Sequence, residues 1–467
     1  MKYLYILSVL TVVFIAACVQ AQNPRDMKFS ELTFEPAEPV RFTTDNGLVV
    51  YFLEYHELPV VSVAVFFHGG DVYDIPDQAG LTGLTAVLLR TGGAGRRTPD
   101  QVDLDLDFVG AHISSQASAD DLSLRMNVLK KDINLGFEIL SDMLLRPGFD
   151  TAKVSMEKSN RQDQIRRQND NAWDISRRVF YQSLYGSHPY GRFATLASIN
   201  NISREDIIAQ HRRFYTPDNC LIAISGDMTV KEVKNLVNSY FKDWKKTGKP
   251  PDPPARVNKT YQAGVYYAQK DINQANIRFG HLAPDSKDPD RFALDLVNFA
   301  MGGGGFTSRL TGQVRTSAGL AYSVGSYFMT RPLGGCLFSY CLTRADAMSQ
   351  AVQMMLDIIA GVKKDGITEE ELQMAKESII NSYIFDYDTP QELVSARAYL
   401  ELMGFPPDQL KKNLEAYKAV TLEDCRRAAA KYLDTKDIVI VITGNKEMFD
   451  KPLETFGTVT AVSMEIK

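Results

Sequence analysis

The sequence predicts an α+β protein made of two homologous two-layer domains, each a sheet with helices packed on one face. Three observations carry that expectation. Strand-like runs give way to helical periodicity and return to strand, the whole pattern occurs twice, and a proline-rich stretch separates the two occurrences.

In the first half, Leu48 to Phe52 and Val61 to Phe67 are rich in β-branched and aromatic residues, which suit a pleated, half-buried surface. Asp121 to Leu129 alternates polar and apolar side chains with the period of two that a strand with one wet face requires. Ile133, Phe137, Leu140 and Leu144 then recur at helical spacing, as do Val352, Met355, Ile359 and Val362 in the second half. Thr368 and Glu371 stand three apart, like Ser203 and Asp206 or Thr421 and Asp424. At that spacing a hydroxyl and a carboxylate can satisfy the free amides of a helix start. Each half is expected to end on a buried strand, and antiparallel strands interleaved with helices on one face imply two layers.

The repeat is visible residue by residue. Ser203-x-x-Asp206, Phe214 and Leu221-Ile-Ala-Ile-Ser-Gly226 recur as Thr421-x-x-Asp424, Tyr432 and Val439-Ile-Val-Ile-Thr-Gly444, a spacing of 218 residues from Gly226 to Gly444. At the same spacing Gly186 falls on Gly404 and Lys158 on Lys376. So long a period means duplication of a whole domain, not a solenoid of short units. Lys249-Pro-Pro-Asp-Pro-Pro254 favours extended backbone and cannot continue a helix or a central strand. The expected division is an export segment at 1–21, a first domain at 30–248, a linker at 249–256 and a second domain at 257–467.

Composition narrows the function classes. The chain has 467 residues, 45% hydrophobic and 23% charged, with a formal charge of -5. Its lysines and arginines are scattered among acids, without the concentrated basic face that nucleic-acid binding needs. Arg161, Arg166, Arg167, Arg177 and Arg178 form a local cluster that reads as a solvated helix face. Lys2 followed by the apolar run Leu4 to Ala17 is a processing segment, too short and too early for a spanning helix. Export to the bacterial periplasm, or lipid anchoring to a membrane, is therefore expected. Ile15-Ala-Ala-Cys18 fits a lipobox in which Cys18 is lipidated, and Val19-Gln-Ala21 fits an ordinary signal-peptidase site. Both alternatives stay open. Four later cysteines, Cys220, Cys336, Cys341 and Cys425, show no CxxC pairing and read as buried thiols. The six histidines have no metal-ligand spacing.

Several ordered motifs together resemble one family. Asp45-Asn-Gly-Leu48 is followed by Gly69-Gly70, Gly80-Leu81, the strand Asn219 to Gly226, Gly302-Gly-Gly-Gly-Phe-Thr-Ser-Arg-Leu310 and Gly319-Leu-Ala-Tyr322. The order and content resemble the insulinase and mitochondrial-processing-peptidase family of inverted-motif zinc peptidases over nearly the whole chain. That resemblance implies one half of a clamshell chamber built from four such domains.

Catalytic members carry H-x-x-E-H on a helix, where two imidazoles hold zinc, the glutamate activates water and a distant glutamate completes the ligand set. Aligned on Gly80-Leu81 and Gly92, the corresponding positions here are Gly83 and Val87 for the histidines, Ala86 for the base and Gln164 for the distant glutamate. Glycine, alanine and valine offer neither ligand nor proton acceptor, and a lone neutral amide is a poor zinc ligand. No cofactor is expected on this chain; the resemblance places zinc on a partner.

The second half keeps side chains suited to substrate. Arg315 and Tyr322 resemble the family's Arg/Tyr pair, which lies across the cleft from zinc; a phenol can hydrogen-bond a developing oxyanion and a guanidinium can hold carbonyls or a carboxylate. The bland alternative makes Tyr322 a core strand aromatic and Arg315 a surface helix residue. Gly302, Gly303, Gly304 and Gly305 lack both G-K-[ST] and G-x-G-x-x-G. They are read as a tight turn or as a substrate-handling loop like that of the family's noncatalytic processing subunit.

The resulting expectation is a noncatalytic, substrate-binding subunit that pairs with a chain carrying H-x-x-E-H and acts on peptides or unfolded proteins. A bound peptide would add as an edge strand in the partner's catalytic domain. A non-enzymatic scaffold or peptide-capture protein of the same fold is the alternative.

Overall fold

The computed structural model describes residues 34–246, 248 and 252–466. The export segment, Cys18 and the start of the expected linker, residues 249–251, lie outside the described residues.

The first copy contains strands β1 (Val40–Thr43), β2 (Val49–Glu54), β3 (Val60–His68), β4 (His112–Ala117), β5 (Asp121–Leu129) and β6 (Cys220–Gly226). They form one sheet in the order β1-β2-β6-β3-β5-β4. Its helices are α1 (Leu81–Thr91), α2 (Pro99–Val109), α3 (Ile133–Leu145), α4 (Thr151–Arg166), α5 (Ala172–Tyr185), α6 (Leu196–Asn201), α7 (Arg204–Phe214) and α8 (Val230–Phe241). The second copy contributes β7 (Gly264–Gln269), β8 (Gln274–Ala283), β9 (Ala321–Met329), β10 (Gly335–Arg344), β11 (Val439–Gly444) and β12 (Val459–Ala461), in the order β12-β7-β11-β8-β10-β9. Helices α9 (Arg291–Asn298), α10 (Met348–Asp365), α11 (Glu369–Phe385), α12 (Pro390–Leu402), α13 (Gln409–Ala419) and α14 (Leu422–Tyr432) accompany it. The α+β class and the duplication are therefore real features of the molecule.

Two details differ from the simple pattern. The returning strands are internal: β6 inserts parallel to β2 and antiparallel to β3, and β11 inserts parallel to β7 and antiparallel to β8. Parallel neighbours need a long crossover, which the intervening helices supply. Nor is the buried strand the last element of either copy. Thr229 and Glu232 cap α8 after β6, and β12 follows β11 and pairs with β7.

The duplicated residues do the same structural job twice. The Ser203 and Thr421 hydroxyls accept from the Asp206 and Asp424 amides, each within a full capping box. Lys158 Nζ donates to the Asn200 carbonyl at 3.2 Å, and Lys376 Nζ to the equivalent Lys418 carbonyl at 2.8 Å. Both lysines satisfy orphan carbonyls ahead of the helix that the capping box then opens.

Each sheet rests one face on its own helices, where the two main cores form around Phe67, Phe137 and Leu140 and around Phe279, Met355 and Ile442. The opposite faces are also apolar, and each is covered by a helix from the other copy. Ile175, Val179, Phe180 and Leu184 of α5 pack on Phe338, Val439 and Val441 of the second sheet. Val394, Ala398 and Leu402 of α12 pack on Tyr51, Phe66, Leu221 and Ala223 of the first. These helices are counterparts at the 218-residue spacing, Ala172 falling on Pro390. The four described cysteines are free and buried, with Cys341 in the second main core and Cys336 beneath α5, on opposite faces of β10.

Phe180→Ala should cost about 3–5 kcal/mol, the usual penalty for emptying a buried phenylalanine site. Denaturant unfolding measures the loss. Hydrogen exchange should show β8 and β11 losing protection before β3 and β6, although residue 180 belongs to the first copy.

Candidate functional site

Helix α1 begins where the chain turns sharply at Gly80, whose φ of 100° lies in the region open to glycine. The buried Asp74 carboxylate accepts from Gly80 N at 2.9 Å, Thr82 N at 3.1 Å and Thr82 Oγ1 at 2.6 Å, which caps the helix start. Gln210 Nε2 donates to Thr82 Oγ1 at 2.7 Å and ties α1 to α7. At the other end Arg90 Nε donates to the Ile113 carbonyl of β4 at 2.9 Å. The helix is held as firmly as a metal-bearing element would need to be.

Gly83, Ala86, Val87 and Gln164 do converge. Together with Asp71, Glu157 and Arg161 they line one cavity of about 380 Å³ between α1, β4 and α4. Gly83 leaves a space in which an added Cβ would meet nothing within 4 Å, Ala86 is 1% exposed, and Val87 is 40% exposed. Gln164 Oε1 accepts from Arg161 Nη1 at 3.0 Å. Zinc, which the resemblance implies, does not fit these residues: α1 presents no donor to the cavity, and the neutral Gln164 amide oxygen already accepts from a guanidinium. Among the described residues no three His, Cys, Asp or Glu side chains are grouped to hold a metal.

The second group of expected residues also comes together. Arg315 lies in a π-helical turn (Thr311–Ser317) that ends at Gly319, whose φ is 62°. Its guanidinium carbon sits 4.5 Å from the Tyr322 ring centre and 4.7 Å from that of Phe306. Tyr322, just inside the edge strand β9, is 82% exposed and Phe306 is 72% exposed. Among the described residues no hydrogen bond or ion pair occupies the Arg315 guanidinium or the Tyr322 hydroxyl. Arg309 of the same motif behaves differently: both Nε and Nη2 donate to Glu371 at 2.6 Å, so it braces the turn. The motif thus separates into an arginine that braces the fold and one whose guanidinium has only ring contacts among the described residues.

The glycine run has a packing explanation. A Cβ on Gly302 would lie 2.5 Å from Ser326 Oγ and 2.7 Å from Leu310 Cδ1, so only glycine lets this π-helical turn (Phe299–Gly303) approach β9. Gly305, with φ of 59° and open space around it, turns the chain immediately before Phe306. Phe306 was not singled out from the sequence, although it lies inside the quoted motif; an apolar residue after four glycines is the signal that pointed to it. Among the described residues no bond or ring contact joins this group to the α1 cavity. A larger cavity, of about 800 Å³, lies beside α10 and contains neither group.

Because the backbone is intact and Gly83 has room, Gly83→His, Ala86→Glu, Val87→His and Gln164→Glu together should create a chain that holds about one zinc ion after dialysis, measured by elemental mass spectrometry. A folded variant that retains no metal would show that α1 and α4 have moved out of ligand reach.

Comparison with known proteins identifies the family and the fold. The family described as insulinase (peptidase family M16) matches residues 50–194, and the peptidase M16 inactive domain matches residues 201–379. YmxG of Bacillus subtilis, named an uncharacterized zinc protease, is 25% identical over 413 residues, covering 86% of this chain and 97% of its own. An uncharacterized zinc protease of Mycobacterium leprae is 26% identical over 344 residues, covering 73% and 77%. Among solved structures, a peptidase M16 inactive domain from Pseudomonas fluorescens superposes with a TM-score of 0.82 at 24% identity, over 90% of this chain and all of that one. The periplasmic protease PqqL from Escherichia coli superposes with a TM-score of 0.76 at 15% identity, over 91% of this chain and 47% of that one. With the duplicated sheets, the ordered glycine motifs and these matches, the chain belongs to the insulinase family, peptidase family M16, as a member without the H-x-x-E-H motif.

Proposed function

We propose that this chain is the noncatalytic, substrate-binding subunit of an exported heterodimeric zinc metallopeptidase, working beside a partner that carries H-x-x-E-H. The observation that carries this reading is the contrast between the two groups of site residues. One has no donor, while the other holds a guanidinium and a phenol exposed, adjacent and unengaged within the protein. Selection for fold alone has no need of a solvent-facing Arg315 clamped between Phe306 and Tyr322, since exposed aromatic surface contributes little to a core.

In the complex, Tyr322 donates a hydrogen bond to the oxygen that gains charge when a peptide carbonyl is attacked, and Arg315 holds neighbouring carbonyls or a carboxylate through its planar fork. Zinc, on the partner, supplies the activated water. The stacking of Arg315 on two rings fixes both groups before substrate arrives, so little order is lost on binding. Gly302 to Gly305 set the turn that presents Phe306 to the substrate. The peptide itself adds as an edge strand of the partner's catalytic domain.

Size supports pairing. Two sheets make half of the four-domain chamber that the family resemblance implies, and PqqL carries the same fold in a chain of which this one spans 47%. The N-terminal sequence supports export to the periplasm, with Cys18 as the anchor in a lipidated form. Among the described residues no helix is long and apolar enough to cross a membrane. The proposed organisation is an export segment at 1–21, domains at 30–248 and 257–467, and a linker at 249–256.

The purified chain alone should bind no stoichiometric zinc and cut no peptide, and activity should appear on mixing with the partner that co-purifies from the native host. Chelator-sensitive cleavage by the isolated chain overturns the proposal. Copies that assemble without a catalytic partner would instead mark a scaffold or peptide-capture protein. In the active complex Tyr322→Phe should lower turnover by about 10²-fold with assembly unchanged, the scale of one lost oxyanion donor. Unchanged turnover would make Tyr322 a surface aromatic only.

A further inference from the structure

The α1 cavity shares Asp71 and Arg161 with a neighbouring cavity of about 350 Å³, which reaches across to the second copy through Arg331. We infer that this neighbouring cavity is a binding site for a peptide carboxylate, gripped by Arg192 and Arg331, with Arg161 and Arg177 contributing charge at its rim.

The charge balance points to an anion. Four arginines line the cavity against two carboxylates, Asp71 and Asp74. Asp74 is spent on the start of α1, as described above. Asp71 is reached by water, but the cavity walls and the neighbouring Asp74 and Asp120 raise its carboxyl above the ordinary range, with Arg161 opposing. Asp120 feels Arg331 through space and already accepts the Tyr190 hydroxyl. Asp174, outside the cavity wall, lies 3.7 Å from Arg177, so the excess of positive charge rests on Arg161, Arg192 and Arg331.

Arg331 is the sharpest observation. It is half-buried, with its guanidinium carbon 4.5 Å from the Tyr190 ring centre and 5.8 Å from that of Tyr181. Among the described residues no hydrogen bond or ion pair engages that guanidinium. None of its nitrogens is both buried and unpartnered, so its N–H edges are open to the cavity and to whatever enters it. Arg192 Nη1 donates to the Asp74 carbonyl, which anchors its head at the same cavity. Two forks brought together from different copies suit a planar acceptor that takes paired N–H bonds. The two wall aspartates disfavour a phosphate dianion, and Tyr181, Tyr190 and Phe193 supply apolar wall for the chain that bears the carboxylate.

The carboxylate can be a peptide's C-terminus or an acidic side chain, and four N-terminally labelled hexapeptides separate the two by fluorescence anisotropy with the purified full chain. One is a free acid without acidic side chains, one is its amide, and two are amides carrying a single Glu or Gln. The free acid should bind at least about tenfold tighter than its amide, as expected for losing one charge-assisted pair. If the Glu amide matches it, the site takes side chains as well; if not, it takes termini. Arg331→Gln should reduce carboxylate binding by about tenfold or more and leave the neutral peptide unchanged. Arg177→Gln changes an exposed residue and should give a smaller loss in the same direction, so the test survives if the Arg331 variant misfolds. Equal binding of acid and neutral peptides, or wild-type binding by the folded variants, overturns the inference. No catalytic partner enters the assay, so the result is independent of the heterodimer proposal.

Discussion

The molecule depends on a reciprocal exchange of helices. Each sheet has two apolar faces, and its own helices cover only one. Tyr51, Phe66, Leu221 and Ala223 on one sheet, and Phe338, Val439 and Val441 on the other, would be open to water if the copies were separated. Contiguous apolar surface of that kind rarely remains exposed. Helix α12 closes the first and α5 the second, so the contact is self-complementary, like a twofold dimer interface written into one chain. This places the two copies in a defined relation, and every feature formed between them inherits that definition, including the cavity lined by both Arg192 and Arg331.

The exchange also marks the limit of what the sequence discloses. Strand runs such as Val61 to Phe67 and helical spacings such as Ile133, Phe137, Leu140 and Leu144 are local patterns, and local patterns decide element type. The repeat of Ser203 to Gly226 at Thr421 to Gly444 is equally legible, because capping boxes and a buried strand require particular residue types at particular offsets. Which sheet a helix covers is a different matter. Phe180 and Val394 are ordinary apolar helix residues, and nothing in their spacing says that the surface they bury lies in the other copy. The parallel insertion of β6 and β11 escaped for the same reason: pairing partners are set by the whole packing and not by the strand itself.

At the candidate site the converse holds. Gly83, Ala86, Val87 and Gln164 were placed by alignment to a motif they lack, and they do line one cavity, because the flanking devices that position α1 survive: Gly80 at the turn, Asp74 at the cap, Arg90 on β4. A glycine inside a helix costs about 1 kcal/mol relative to alanine, and Gly83 has no crowding to justify it, since an added Cβ would touch nothing. The helix is thus held in place by a costly set of polar contacts while its cavity-facing positions carry no chemistry. Phe306 and Arg331 were less legible. Their significance comes from ring stacking across turns and copies, which leaves no periodic trace.

The arginine cavity gives that arrangement a physical consequence. In catalytic members of the family two imidazoles on the helix equivalent to α1 and one distant glutamate hold zinc, and the helix glutamate is the base. Here the corresponding positions Gly83, Ala86, Val87 and Gln164 are neutral, and the charged groups lining the cavity are Asp71, Glu157 and Arg161. Arg161 Nη1 donates to Gln164, the position the sequence resemblance aligns with the ligand glutamate, and meets a neutral amide there. A guanidinium bound to an amide keeps its full charge available to a ligand, whereas one paired with a carboxylate does not.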